Sequence, residues 1–105
     1  MTFNEYQIEA YKTALLKSRC LAYMIPGLSG ETGEIAGKYA KYIRGDMTYE
    51  QLEERIRAEI GDGLWFLAGL ATLIGDNLEQ IAEENIKKLQ DRRLRGKIQG
   101  DGDHR

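Results

Sequence analysis

Thr2-x-x-Glu5, Thr48-x-x-Gln51 and Asp76-x-x-Glu79 share one spacing. In each, a short polar side chain precedes an acid or amide by three residues, the pattern with which a helix start satisfies amides that lack an intrahelical partner. Helices are therefore expected from about residues 3, 49 and 77. Another is expected just after the single proline, Pro26, because the chain from Leu28 to Arg44 carries helical spacing and Gly45-Asp46 then stops it. The β-branched residues do not alternate, so strands have little to build on. The reading is helices over 3–23, 28–44, 49–75 and 77–93, then a glycine-rich charged tail over 95–105. Short connections predict an all-α, four-helix antiparallel bundle formed by one domain, residues 1–94. At 1.5 Å per residue the third helix would reach about 40 Å, longer than a domain of this size needs, which predicts packing against a second subunit, as a dimer or higher.

Charge narrows the partners. Seventeen acidic against fifteen basic side chains leave a net charge of −2, which selects no nucleic acid polymer. The longest uncharged run, Gly63 to Gly75, is too short for the roughly 20 residues of a membrane span. The start Met-Thr-Phe-Asn-Glu has no secretory signal pattern, and the single Cys20 has no disulfide partner, so a cytoplasmic location is expected. Cys20 reads as a small core residue, and His104 as part of a solvated tail.

Polar residues on apolar faces carry the functional signal. Stepping 100° per residue puts Leu52, Ile56, Glu59, Phe66, Leu70 and Leu73 in one stripe about 60° wide, with Asp62 leaning toward the same groove. The preceding helix repeats this: Leu28, Thr32, Ile35, Tyr39 and Tyr42 make its stripe, with Glu31 at the edge and Glu34 beyond. A carboxylate among Leu and Phe pays desolvation unless a metal, a cation or a proton neutralises it. Two acid-x-x-acid pairs on consecutive helices can face each other, and such a gathering calls for cations. Oxygen-only ligands suit Mg²⁺ or Mn²⁺, and the absence of Cys and His partners argues against zinc. For any one of these residues a solvated face, with Glu34 paired to Lys38, is the simpler account; for Glu31, Glu34, Glu59 and Asp62 together a metal site is.

On the last helix Leu78, Ala82, Asn85 and Leu89 share a stripe, which places Asn85 on the buried face, and Lys88 and Arg92 flank it. Asn85 can bind a carboxylate, a bound water or a sugar hydroxyl, while Lys88 and Arg92 offer charge-assisted bonds to phosphate oxygens. Snorkelling at a basic helix end is the plainer account of the two cations. Gly30, Gly33 and Gly37 lie opposite the apolar stripe of their helix, suggesting close approach of another backbone or a ligand. Trp65 lies outside the main stripe and is expected at a subunit interface. Nothing matches a P-loop.

Gly30-Glu31-Thr32-Gly33-Glu34-Ile35-Ala36, Glu59-Ile60-Gly61-Asp62 and Asn85-Ile86-Lys87-Lys88-Leu89 with Arg92 resemble the MazG-like branch of the all-α nucleoside triphosphate pyrophosphohydrolases. That family's pattern is ExxE, a spacer, ExxD, and a downstream Asn and Lys; the ending Arg95 to Arg105 also looks like the glycine-rich tail of some small members. The resemblance runs from Leu28 onward. It implies Mg²⁺-dependent hydrolysis of a nucleoside triphosphate between the α and β phosphates, giving monophosphate and pyrophosphate, in a dimer or dimer of dimers. Carried over by position, Glu31, Glu34, Glu59 and Asp62 would hold metal, and Glu31 or Glu34 would help deprotonate the attacking water. Lys88 and Arg92 would stabilise the leaving pyrophosphate, Asn85 would orient ligands or sugar, and Arg95, with Lys97 and Arg105, would close over phosphates.

Another class of function fits the same residues: a helical dimerisation or scaffold module whose acidic cation site is structural or inactive. Binding of a non-hydrolysable triphosphate separates the two. A ferritin-like di-iron bundle is excluded, because it requires Glu-x-x-His on two helices and the only histidine is His104.

Overall fold

A computed structural model describes residues 1–96 and 98–105. All its regular structure is helical: α1 Phe3–Lys12, a single 3₁₀ turn Leu16–Ser18, α2 Leu21–Ile43, α3 Tyr49–Leu73 and α4 Leu78–Leu94. Thr2 and Thr48 form the two capping boxes the spacing predicts. The third is displaced by one residue, since Asn77, not Asp76, caps α4 through a bond from Gln80 N to its Oδ1. Gly45 and Gly75 end α2 and α3 with φ near +80°, which lets the next amides turn back: Asp46 N reaches Lys41 O, and Asp76 N reaches Ala71 O.

The first break falls before Pro26, not after it. α1 stops at Lys12, and tertiary partners bond the carbonyls at its end and just beyond: Trp65 Nε1 donates to Ala10 O, and Arg19 donates to Tyr11 O and to Ala14 O. The Arg19 guanidinium also lies 4.8 Å from the Tyr11 ring centroid. α2 then starts at Leu21 and carries Pro26 in its second turn, at the loss of the bond Ala22 O would otherwise accept. Cys20 caps α2 with its backbone carbonyl and is exposed, so it is not a core residue. Trp65 likewise ties α3 to α1, with a second bond from Nε1 to Thr13 Oγ1 at 2.8 Å, and stands edge-on to Phe66 rather than on an open face.

α2 and α3 form an antiparallel hairpin. Met24 meets Gly69, Gly27 meets Phe66, and Tyr42 meets Tyr49, so the paired positions run in opposite order along the two helices. Met24, Phe66 and Ala14 make the core, with Leu28, Trp65, Leu70 and Leu73 packed around them. Glycine at 27 and 69 permits this approach: a Cβ on Gly27 would lie 2.2 Å from the Phe66 ring, and one on Gly69 2.7 Å from Met24 Cε. A Cβ on Gly30, Gly33 or Gly37 would meet nothing within 4 Å, so these three do not serve a close approach within the chain.

α4 does not lie antiparallel to α3. The two are bent by 100° at the Gly75 turn, and α4 packs against α1. Two side chains of α1 hold its start. Gln7 Oε1 accepts from Leu78 N while its amide nitrogen donates to Thr72 Oγ1 and Asp76 O, and Asn4 exchanges bonds with Glu79. The described chain therefore does not close a four-helix antiparallel bundle on itself. Its radius of gyration, 16.6 Å, exceeds the roughly 13 Å of a compact chain of this length. Among the described residues no single helix is long and apolar enough to cross a membrane.

Candidate metal centre

Midway along the α2–α3 hairpin, Glu31, Glu34 and Glu59 each offer a carboxylate oxygen within 4.8 Å of the others. The helical steps explain the grouping, because Glu31 and Glu34 stand one turn apart on α2 and Glu59 continues the buried stripe of α3 between Leu52 and Phe66. Glu59 is only 8% exposed, Glu31 is half-buried and Glu34 is open to solvent. Glu59 Oε2 is buried and has no hydrogen-bond partner. An orphaned carboxylate oxygen between two further acids is a costly arrangement for a metal-free protein and a suitable one for a hard divalent cation.

The titration of the cluster reflects the crowding. Contact with the Glu59 carboxylate, followed by its charge, raises Glu34 above the ordinary carboxylate range, and Lys38 offsets only part of this. Glu59 is raised as well, first by its contact with Glu31 and then by burial. Asp62 is exposed and stands outside the group of three oxygens, but its charge acts on both Glu34 and Glu59. It also reaches α1: burial and then the Asp62 charge raise the Tyr6 hydroxyl. Tyr6 was not legible as a neighbour of the site, because α1 carries no acid-x-x-acid signal and its packing on α3 is a tertiary matter.

The α4 residues are placed differently from the sequence expectation. Asn85 is exposed, not on a buried face. The named charges acting on Glu34 and Glu59 come from α2 and α3 alone. Lys88 and Arg92 instead engage Asp103: Lys88 Nζ lies 2.6 Å from its Oδ1, and Arg92 Nη2 bonds both Oδ1, at 3.2 Å, and the Asp103 carbonyl. Arg95 pairs with Asp91 at 2.8 Å and donates to Arg105 O. The tail is thus folded back on α4, while Lys97 lies outside the described residues. No spacing rule relates Asp103 to Lys88 or Arg92, so sequence reasoning missed it.

The model of the MazG nucleotide pyrophosphohydrolase domain matches residues 21–95, from the first residue of α2 to the end of α4. The chain belongs to the MazG family. The matched span holds the carboxylate cluster and α4 and leaves out α1 and the tail. Over 115 aligned positions covering the whole of both chains, this MazG protein is 41% identical to the Gene 37 protein of Mycobacterium phage L5. No solved structure matches it. Membership of the family makes a hydrolase acting on nucleotide phosphoanhydrides the activity to expect, and the acid cluster is a site that could bind a metal ion.

Proposed function

We propose that this protein hydrolyses a nucleoside triphosphate between the α and β phosphates, releasing monophosphate and pyrophosphate with Mg²⁺, or Mn²⁺ in its place. The observation that carries the reading is the buried Glu59, one oxygen of which has no partner, with its carboxylate grouped within 4.8 Å of those of Glu31 and Glu34. Glu31, Glu34 and Glu59 would hold the cation, with Asp62 at the rim as a further ligand. A bound divalent ion would neutralise phosphate charge and polarise the phosphoryl oxygens.

The remaining chemistry belongs to the side chains. The attacking water gives its proton to a carboxylate of α2, Glu31 or Glu34, as its oxygen bonds the α phosphorus and the bond to the bridging oxygen breaks. Held in line by the cluster, water and phosphorus react as if intramolecular. Lys88 and Arg92 stabilise the charge gathering on the leaving pyrophosphate, and Asn85 and Arg95 contact the nucleotide. Because α4 turns away from the α2–α3 hairpin, these residues would come to the carboxylates from a second copy. Support for a homodimer, or a dimer of dimers, is the extended shape of the chain and the exposure of Ile81, Ile86 and Leu89 on α4. We take residues 1–94 as the working domain and 95–105 as its tail. We place the protein in the cytoplasm, where a free, exposed Cys20 stays reduced.

The test is pyrophosphate release from a panel of nucleoside triphosphates with Mg²⁺, comparing the intact chain with Glu59→Gln. Release together with monophosphate, lost in the variant, establishes the reaction. A folded chain that releases none from any triphosphate, with either ion, is a helical scaffold with a structural cation site.

A further inference from the structure

Arg92 is the most deeply buried cation in the described chain, 4% exposed, and its guanidinium is only partly satisfied. Nη2 bonds Asp103, whereas Nε is buried with no partner. Lys88, one turn earlier on α4 and half-buried, points its ammonium at the same Asp103 oxygen from 2.6 Å. The two cations therefore converge on one carboxylate, and their hydrogen bonds, then their charge, hold that carboxyl below the usual range. The segment bringing Asp103 there is closed on itself: Arg105 donates to Ile98 O and Gly102 O, and Arg95 ties the Arg105 carbonyl to α4.

We propose that Lys88 and Arg92 form an oxyanion seat that the chain's own Asp103 occupies, so that the C-terminal segment competes with a pyrophosphate-bearing ligand for α4. The competition has a chemical basis. A carboxylate presents two oxygens and leaves Arg92 Nε unbonded, whereas pyrophosphate carries more oxygens and more charge and can satisfy both cations and the spare donor. Asp103 is covalently attached and so has the advantage of proximity; the free ligand has the advantage of charge. The class of ligand rests on the proposed hydrolase reading, but occupation of the seat does not.

Inorganic pyrophosphate, titrated into the full chain in chelator, tests the seat without hydrolysis. Asp103→Asn should tighten binding by about tenfold or more, the loss of one charge-assisted competitor. Adding Lys88→Gln, a half-buried position that spares the Arg92 packing, should cancel the gain. The ring signals of His104, the only histidine and the neighbour of Asp103, should move on pyrophosphate addition toward their position in Asp103→Asn. Equal or weaker binding by Asp103→Asn, or a bound pyrophosphate that leaves His104 unmoved, overturns the proposal. If these results hold and no triphosphate is hydrolysed, the seat stands and the hydrolase reading falls.

Discussion

Glu59 of α3 and Glu34 of α2 bring a carboxylate oxygen within 4.8 Å of each other, and each carboxyl is raised in the folded chain. Between the ordinary carboxylate value and these raised values the folded chain holds protons that the unfolded chain has released. Stability in that window falls as pH rises. In chelator, the melting temperature should therefore climb as pH is lowered from neutrality toward the ordinary carboxylate range, before the remaining carboxylates protonate. Mg²⁺ should flatten the dependence and raise the melting temperature at neutral pH. Glu59→Gln should melt higher than the parent without metal and respond less to Mg²⁺; a parent indifferent to both pH and Mg²⁺ would contradict the cation site.

In the proposed reaction, the α2 carboxylate that takes the proton would be readable from a pH–rate profile. Substituting the base with Gln should remove the acidic limb of the profile and cost about 10²–10⁴ in rate at saturating Mg²⁺. The same change at the other residue should chiefly raise the Mg²⁺ concentration needed for half-maximal rate.

Gly27 and Gly33 lie on one helix and should respond to alanine with opposite signs. At Gly27 the new methyl meets the Phe66 ring, and the overpacking should destabilise the chain by about 1–3 kcal/mol. At Gly33 nothing lies within 4 Å, and the better helix propensity should stabilise by up to about 1 kcal/mol. Urea unfolding of the two variants checks both; a destabilised Gly33→Ala would place a second copy on that face.

Gln7→Ala should loosen α4 at its root. The substitution removes the acceptor of Leu78 N and the donor to Thr72 Oγ1 and Asp76 O in a buried position, a cost of about 2–3 kcal/mol. Amide exchange should accelerate selectively in the first turn of α4, while the α2–α3 hairpin keeps its protection.

Light scattering should report a dimer or tetramer. Ile86→Asp, on the exposed side of α4, should shift the population toward monomer and lower pyrophosphate release with it. A fully active monomer would remove the second copy from the site.

The helical class, two of the three capping boxes, the Gly45 stop and the approach of Glu31, Glu34 and Glu59 were legible in the chain, because caps and helical periodicity act over three or four residues. The same local physics placed Glu59 on an apolar stripe and so marked it as a residue in need of a counter-charge. It could not see that Trp65 and Arg19 would take the carbonyls at the end of α1, since these partners are set by how α3 and the 3₁₀ turn pack. Nor could it foresee that Gln7 and Asn4 would pin α4 at 100° to α3, which separates Lys88 and Arg92 from the acids their sequence position invites. The sequence by itself decided that the chain is helical and where α3 and α4 begin to within a residue or two. Only the tertiary structure decided which charges meet, because a carboxylate three residues from its partner is positioned by the helix, whereas Asp103 reaches Arg92 only when a glycine-rich segment folds back across α4.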